Sequence, residues 1–389
     1  MPVILAIGVL PVQSAPPPSP SPHFVKPRHT VWHEGTEHEN QVVVKLVDDR
    51  AVLDEPPTNP ELPGGSTAQR VVLFIGDLNL TAVSVFPTHR GRKLQATGVP
   101  LDPLHLFFAV EAPDGHGAAL CDQLNNNSNV EIAYLAPMPP ELPTLTSSDD
   151  QRRTLQAIRH ALTSKTDFRR MLSPSFVDRQ GYRGPAPNGF DFDVAEEYAA
   201  GLGAGITVAD IEGGVNLDHE DLGMQGAEQI NSISTDSSWV AHGTAVWGEI
   251  KGEHDSQGVR GGAVAVTPIV ANMFDAVGRY LGVAAVVAQT ADHLQAGDVM
   301  LIEQQYKVTD GNGEINDGPV EYYPAEWDAI RAAVDKGIVV VEAGANGQVD
   351  LDAVQDGRFK RGHANFADSG AIMVGGARHN QRTWIGSSY

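Results

Sequence analysis

Three polar residues in the second half of the chain stand where a polar group is either costly or reactive. Asp210 comes near the end of Ile206-Thr-Val-Ala-Asp-Ile211, an apolar and β-branched run that reads as a buried strand. An ionisable group in such a strand destabilises the fold unless it is paired or hydrogen-bonded. The plain alternative is an acid capping a loop. His242 begins His242-Gly-Thr-Ala-Val-Trp-Gly248, read as a helix start. There the helix dipole would lower the imidazole pKa and keep it neutral, as a general base requires. The plain alternative is a helix-capping histidine. Gly243 would permit close backbone approach and Gly248 close helix packing. Asn346 follows Val339-Val-Val-Glu-Ala-Gly-Ala345. A side-chain amide just past a buried strand can donate to a developing oxyanion, although Asn-Gly is also a common turn.

From residue 191 onward the hydrophobic pattern alternates between helix and strand. Helices are expected over 195–200, 242–250, 276–295 and 324–336, the last with Pro324 near its start and Gly337 at its end. Strands are expected over 206–211, 263–273, 298–302, 338–341 and 371–374. This alternation predicts an α/β fold, a parallel sheet with helices on both faces, whose functional residues sit beyond the C-terminal strand ends. Residues 36–138 read as a small α+β domain with strands at 41–46, 71–75, 106–110 and 129–135, closed by Pro137, Pro139, Pro140 and Pro143. Residues 139–190 connect the two domains and carry a helix over 149–164. Residues 1–35 combine an apolar start, Pro2–Val12, with a Pro-rich linker. That start reads as a secretory signal cleaved near Ser14 or Ala15, or as a clipped chain start, since it lacks a basic segment.

Composition narrows the function classes. With 27 basic against 49 acidic residues the net charge is −22, which argues against nucleic acid or an anionic membrane as partner. No apolar run is long enough to span a bilayer. The single cysteine, Cys121, excludes an intrachain disulfide and a Cys-based metal site. Neither a His-Glu-x-x-His zinc motif nor a Walker A loop occurs.

The order of Asp210, His242 and Asn346, together with their neighbours, resembles the subtilisin-like serine peptidases, the subtilases. Ile206–Asp210 is similar to the segment around that family's catalytic Asp. Asn216-Leu-Asp-His-Glu-Asp-Leu222 is similar to its His-Pro-Asp-Leu stretch, and His242–Gly248 to its His-Gly-Thr-His-Val-Ala-Gly. Val340–Gly347 resembles the segment that supplies the oxyanion Asn. Ile372–Ala377 and Gly386-Ser-Ser-Tyr389 resemble the Val-Gly-Ala strand and the Phe-Ser-Ser-Tyr stretch beyond it. The resemblance covers residues 191–389 as a partial peptidase domain. Ser175–Phe190 is similar to the mature start of the family, and 36–138 to its propeptide.

The resemblance implies a serine endopeptidase acting on protein or peptide, secreted and monomeric. Asp210 would orient the imidazole, His242 shuttle the proton and Asn346 hold the oxyanion. Met300–Gln305 lies where the family has a substrate-contacting edge strand, which makes Glu303 and Gln304 substrate-binding candidates. The chemistry requires no cofactor or metal, and calcium is allowed by the resemblance without assigned ligands. Two departures matter. Asp210 is followed by Ile-Glu where the family has Ser/Thr-Gly, and the Gly-Thr-Ser nucleophile motif does not occur. The chain is therefore expected to be a fragment of a peptidase, incomplete at its C-terminus, or an inactive pseudoprotease that binds peptides or proteases.

Overall fold

The computed structural model describes residues 24–47, 75, 80–86, 103–140, 174–377 apart from 199, 235, 311, 355 and 356, and 386–388. Strands β1 (Glu37–Leu46), β2 (Ala82–Ser84), β3 (Phe107–Glu111) and β4 (Val130–Pro137) form an antiparallel sheet in the order β2-β3-β1-β4. Helix α1 (Gly117–Asn125) packs on β4 and β1. The run Val42-Val-Val-Lys-Leu46 is almost wholly apolar because both faces of β1 are covered. Val42, Val44 and Leu46 join a core with Leu120 and Leu124 of α1. Val43 points the other way, into the core of the second sheet. Lys45 does too, and its fully buried ammonium lies 3.0 Å from both Glu131 and Asp328. Of the expected strand at 71–75 only Ile75 lies within the described residues, and it is helical. The helix expected over 149–164 lies outside them.

The second sheet is parallel. It comprises β5 (Thr207–Glu212), β6 (Glu228–Ile230), β7 (Thr267–Asn272), β8 (Val299–Ile302), β11 (Val339–Ala343) and β12 (Ile372–Val374), in the order β12-β11-β8-β5-β7-β6. Between β8 and β11 lies a separate antiparallel hairpin of β9 (Gln305–Thr309) and β10 (Ile315–Pro319). Helix α2 (Ser237–Lys251) covers one face of the parallel sheet, with Trp247 packed on Val208 and Val270. Helices α3 (Val283–Ala291) and α4 (Pro324–Asp335) cover the other, over Ala209, Ile211, Met300, Ile302 and Val340. The expected sheet with helices on both faces is therefore present.

Two expected helices are shorter than the pattern suggests. The 276–295 helix begins only at Val283. Asp275 Oδ1 accepts the backbone N–H groups of Val277 and Arg279, and this local bonding competes with a helical turn. The 195–200 helix is a single turn, Phe192–Ala195. Gly201 then folds back so tightly that a Cβ on it would lie 1.6 Å from the Ala195 carbonyl. Among the described residues no helix is long and apolar enough to cross a membrane.

Candidate active site

Strand β5 ends in Asp210-Ile-Glu212, and side chains two apart on a strand share a face. Both carboxylates therefore point to the side of the sheet that carries α2. Asp210 pairs across the sheet with Leu301, and Leu301 with Val341, which sets it one row inside the strand end. Glu212 is the last residue of the strand and is 0% exposed. Its Oε1 lies 2.5 Å from His242 Nδ1, and its Oε2 accepts the Gly213 N–H at 3.0 Å.

The carboxylate that holds the imidazole is thus Glu212, and the expectation that Asp210 does so is corrected by two residues. Asp210 is 0% exposed, and neither of its oxygens has a hydrogen-bond partner among the described residues. Burial, with the charges of Glu212 and Glu303 nearby, pushes its carboxyl well above the ordinary carboxylate range. It lies beneath the site, one row inside the strand end. The departure already visible after Asp210 carried the signal. Sliding the match by two places puts Glu212 directly before Gly213-Gly214, where the family has its acid before Ser/Thr-Gly.

Helix α2 starts five residues before His242, with Asp236 as N-cap accepting the Ser238 N–H at 2.8 Å. His242 therefore sits in the second turn, beyond the reach of the dipole's positive end. The expected lowering of its pKa is reversed. Burial alone would lower it, but the hydrogen bond and charge of Glu212, aided by Glu303, raise it above the ordinary histidine value. Gly243 makes the short contact possible. A Cβ there would lie 2.4 Å from the Gly214 carbonyl and 3.2 Å from Glu212 Cγ. Thr244 Oγ1 donates to the Val240 carbonyl and accepts the Asn216 N–H, tying the loop after β5 to the helix.

A cavity of about 280 Å³ opens beside the imidazole, lined among others by His242, Glu303, Gln305, Asn346 and Ser387. Asn346 is exposed, and its backbone N–H donates to Gln305 Oε1 at 3.0 Å. Ala345 before it adopts a left-handed φ of 75°, which swings Asn346 out of line with β11. The expected edge strand is not at the edge, because β8 lies between β11 and β5. Only after Ile302 does the chain leave the sheet. Glu303 and Gln305 then alternate into the cavity, while Gln304 turns away. Gln304 is buried and donates to the Ile211 carbonyl at 3.1 Å, so it braces β5 and does not face the cavity. Gln305 was not legible as a site residue, since its part depends on this exit from the sheet.

Ser387 and Ser388 are buried. Ser387 Oγ donates to the Ser388 carbonyl and accepts the Gly376 N–H, while Ser388 Oγ donates to the Asp317 carbonyl and accepts the Val349 N–H. Among the described residues no group of three or more His, Cys, Asp or Glu is placed to hold a metal ion, so no calcium ligand is assigned.

No protein-family model and no curated protein matches the chain. Solved structures do. The epidermin leader peptide processing serine protease EpiP from Staphylococcus aureus is 14% identical, with a TM-score of 0.48, over 90% of this chain and 72% of that one. Fervidolysin from Fervidobacterium pennivorans, a keratinolytic enzyme related to subtilisin, is 18% identical, with a TM-score of 0.46, over 91% of this chain and 46% of that one. The nisin leader peptidase NisP from Lactococcus lactis is 21% identical, with a TM-score of 0.38, over 56% and 67%. The three solved structures to which the chain is similar thus each have a TM-score below 0.5 and an identity below 25%.

Proposed function

We propose that this chain carries the proton-transfer pair and the oxyanion donor of a subtilisin-like serine endopeptidase acting on protein or peptide. The observation that carries the reading is His242, held 2.5 Å from the buried Glu212 and facing the same cavity as Asn346. With Nδ1 committed to Glu212, Nε2 is the nitrogen left to take a proton. A serine hydroxyl would attack the peptide carbonyl and pass its proton to Nε2. Glu212 would stabilise the imidazolium, and the Asn346 amide would donate to the tetrahedral oxyanion. The proton would then go to the leaving amine. Neither Ser387 nor Ser388 fits the attacking role, since both hydroxyls are engaged with backbone groups. The attacking serine is therefore assigned to neither of them. The apolar start supports secretion, and we assign the product as a secreted monomer.

The test is to sequence the transcript past Tyr389 and express the full reading frame. A fluorophosphonate probe should label a serine there, and His242→Ala should abolish labelling. A frame that stops at Tyr389, with no Gly-Thr-Ser motif in any downstream frame, overturns the peptidase reading.

A second reading is a peptide-binding module without catalysis. It is favoured by the formed cavity and by β9, which among the described residues pairs with β10 alone. Its other edge carries no strand among the described residues, and an extended peptide could add there. Calorimetric titration of the chain with extended peptides tests this reading, and no heat of binding with any of them would exclude it.

A further inference from the structure

We propose that Glu303 makes the cavity beside His242 selective for a positively charged side chain, so that the chain takes peptides carrying Lys or Arg at the position that fills it. This rests on the reading of the cavity as a peptide site and names the substrate class.

The cavity is small, about 280 Å³, against roughly 300–1,000 Å³ for sites that enclose drug-sized ligands. That is room for one side chain rather than a length of peptide. One side of it is apolar, with Leu301, Val341 and Ala343 along the sheet face and Ala345 beside them. Such walls suit the aliphatic stem of Lys or Arg, whose charged end then needs an acceptor. Glu303 is the acid on this lining whose carboxylate is uncommitted. No hydrogen bond or ion pair holds it among the described residues. Glu342, also on the lining, is fully buried, with its Oε1 engaged by the Glu321 N–H at 3.0 Å and its Oε2 without a partner among the described residues. A half-buried carboxylate left without a partner is unfavourable, and a guanidinium or ammonium entering the cavity would relieve that.

The surroundings strengthen the preference. Asp210 lies in the row of side chains that runs through Leu301 and Val341 on the cavity's own face, fully buried with both oxygens unpartnered. Glu212 is fully buried behind the imidazole. Two acids, Glu212 and Glu303, thus act on the single imidazole, and no Lys or Arg lines the cavity. A neutral or acidic side chain would leave that imbalance in place or worsen it. Glu303 bonds to none of the residues that build His242 into the helix, so its part is selectivity.

The test uses the full chain and capped hexapeptides in which one residue, walked along the sequence, is Lys, norleucine or Glu. Norleucine keeps the stem of Lys and removes the charge. At one position Lys should bind at least tenfold more tightly than norleucine, with Glu weakest, and the advantage should shrink as salt is raised. Glu303→Gln should abolish the advantage while leaving norleucine binding unchanged, and Glu303→Lys should invert it toward Glu. Equal binding of Lys and norleucine at every position overturns the proposal while leaving the peptide site standing, and this comparison needs no variant to fold. A Lys preference that survives Glu303→Gln also overturns it. Failure of every peptide to bind overturns the peptide site itself, and the selectivity with it.

Discussion

His242 and Glu212 meet at 2.5 Å across the junction of helix α2 and strand β5, and the carboxylate in this contact is fully buried while the imidazole remains partly open. A charge-assisted bond of this kind favours the imidazolium. Its effect on His242 is opposed by burial, and the bond wins. The His242 ring should therefore titrate with a midpoint above the ordinary 6.5 when followed by NMR. Because the folded value is raised, the stabilisation from this pair is fully present below the unfolded pKa and is lost as pH rises through the folded one. Glu212→Gln should lower the midpoint, since burial would remain with only the charge of Glu303 against it. A wild-type midpoint at or below 6.5 would refute the assignment of Glu212.

Asp210 should titrate with the same sign, starting from a lower pH. Its folded pKa lies above the unfolded value, so it adds nothing at low pH, and its burial costs stability once pH rises past the ordinary carboxylate range. Asp210→Asn keeps the shape and removes the titration. Denaturant midpoints measured from pH 4 to 8 should fall less steeply in the variant than in the wild type. An Asp210→Asn variant that loses stability at pH 8 would show that the ionised carboxylate is needed in the fold.

Ala345 holds a backbone conformation that L residues avoid at a cost of about 1–2 kcal/mol. Ala345→Gly removes that strain and concedes about 0.4–1 kcal/mol in unfolded-chain entropy. The net gain should be up to about 1.6 kcal/mol, read as a rise in melting temperature. An unchanged or lower melting temperature would mean that the turn before Asn346 is not strained by its Cβ.

Lys45 joins the two sheets through an ion pair that is buried on both sides, its partner Asp328 lying on α4. Lys45→Met would leave Asp328 and Glu131 facing an apolar side chain, and losing one partner of a buried pair costs about 3–5 kcal/mol. The N-terminal sheet should then become susceptible to limited proteolysis at concentrations of protease that leave the wild type intact. Equal resistance in the two proteins would show that apolar contacts alone hold the sheets together.

The parallel sheet was legible because its strands are apolar runs separated by helical patterns, and those patterns are local. His242 and Asn346 were legible for the same reason, each sitting in a short motif. The pairing was not. Whether Asp210 or Glu212 reaches His242 depends on where β5 ends, and both acids sit on the same face of the strand. In the fold the imidazole meets Glu212, where Gly243 packs closely on Gly214. The part of Gln305 was invisible for a related reason. Met300–Gln305 reads as one edge strand, and the break after Ile302 comes from β8 being flanked on both sides while β9 joins a different hairpin.

Strand β1 carries three valines in a row with both faces packed, Val42 and Val44 toward α1 and Val43 toward α3 and α4. Valine does not distinguish one face from the other. A slip of one residue along its neighbours would exchange the two faces, and by size and polarity the valines would tolerate it. Lys45 would not, because the slip would drive its ammonium in among the leucines of α1 and leave Glu131 and Asp328 without their cation. One charged side chain thus sets the alignment of a strand that is otherwise nearly featureless, and it does so through a contact with a helix almost three hundred residues further along the chain.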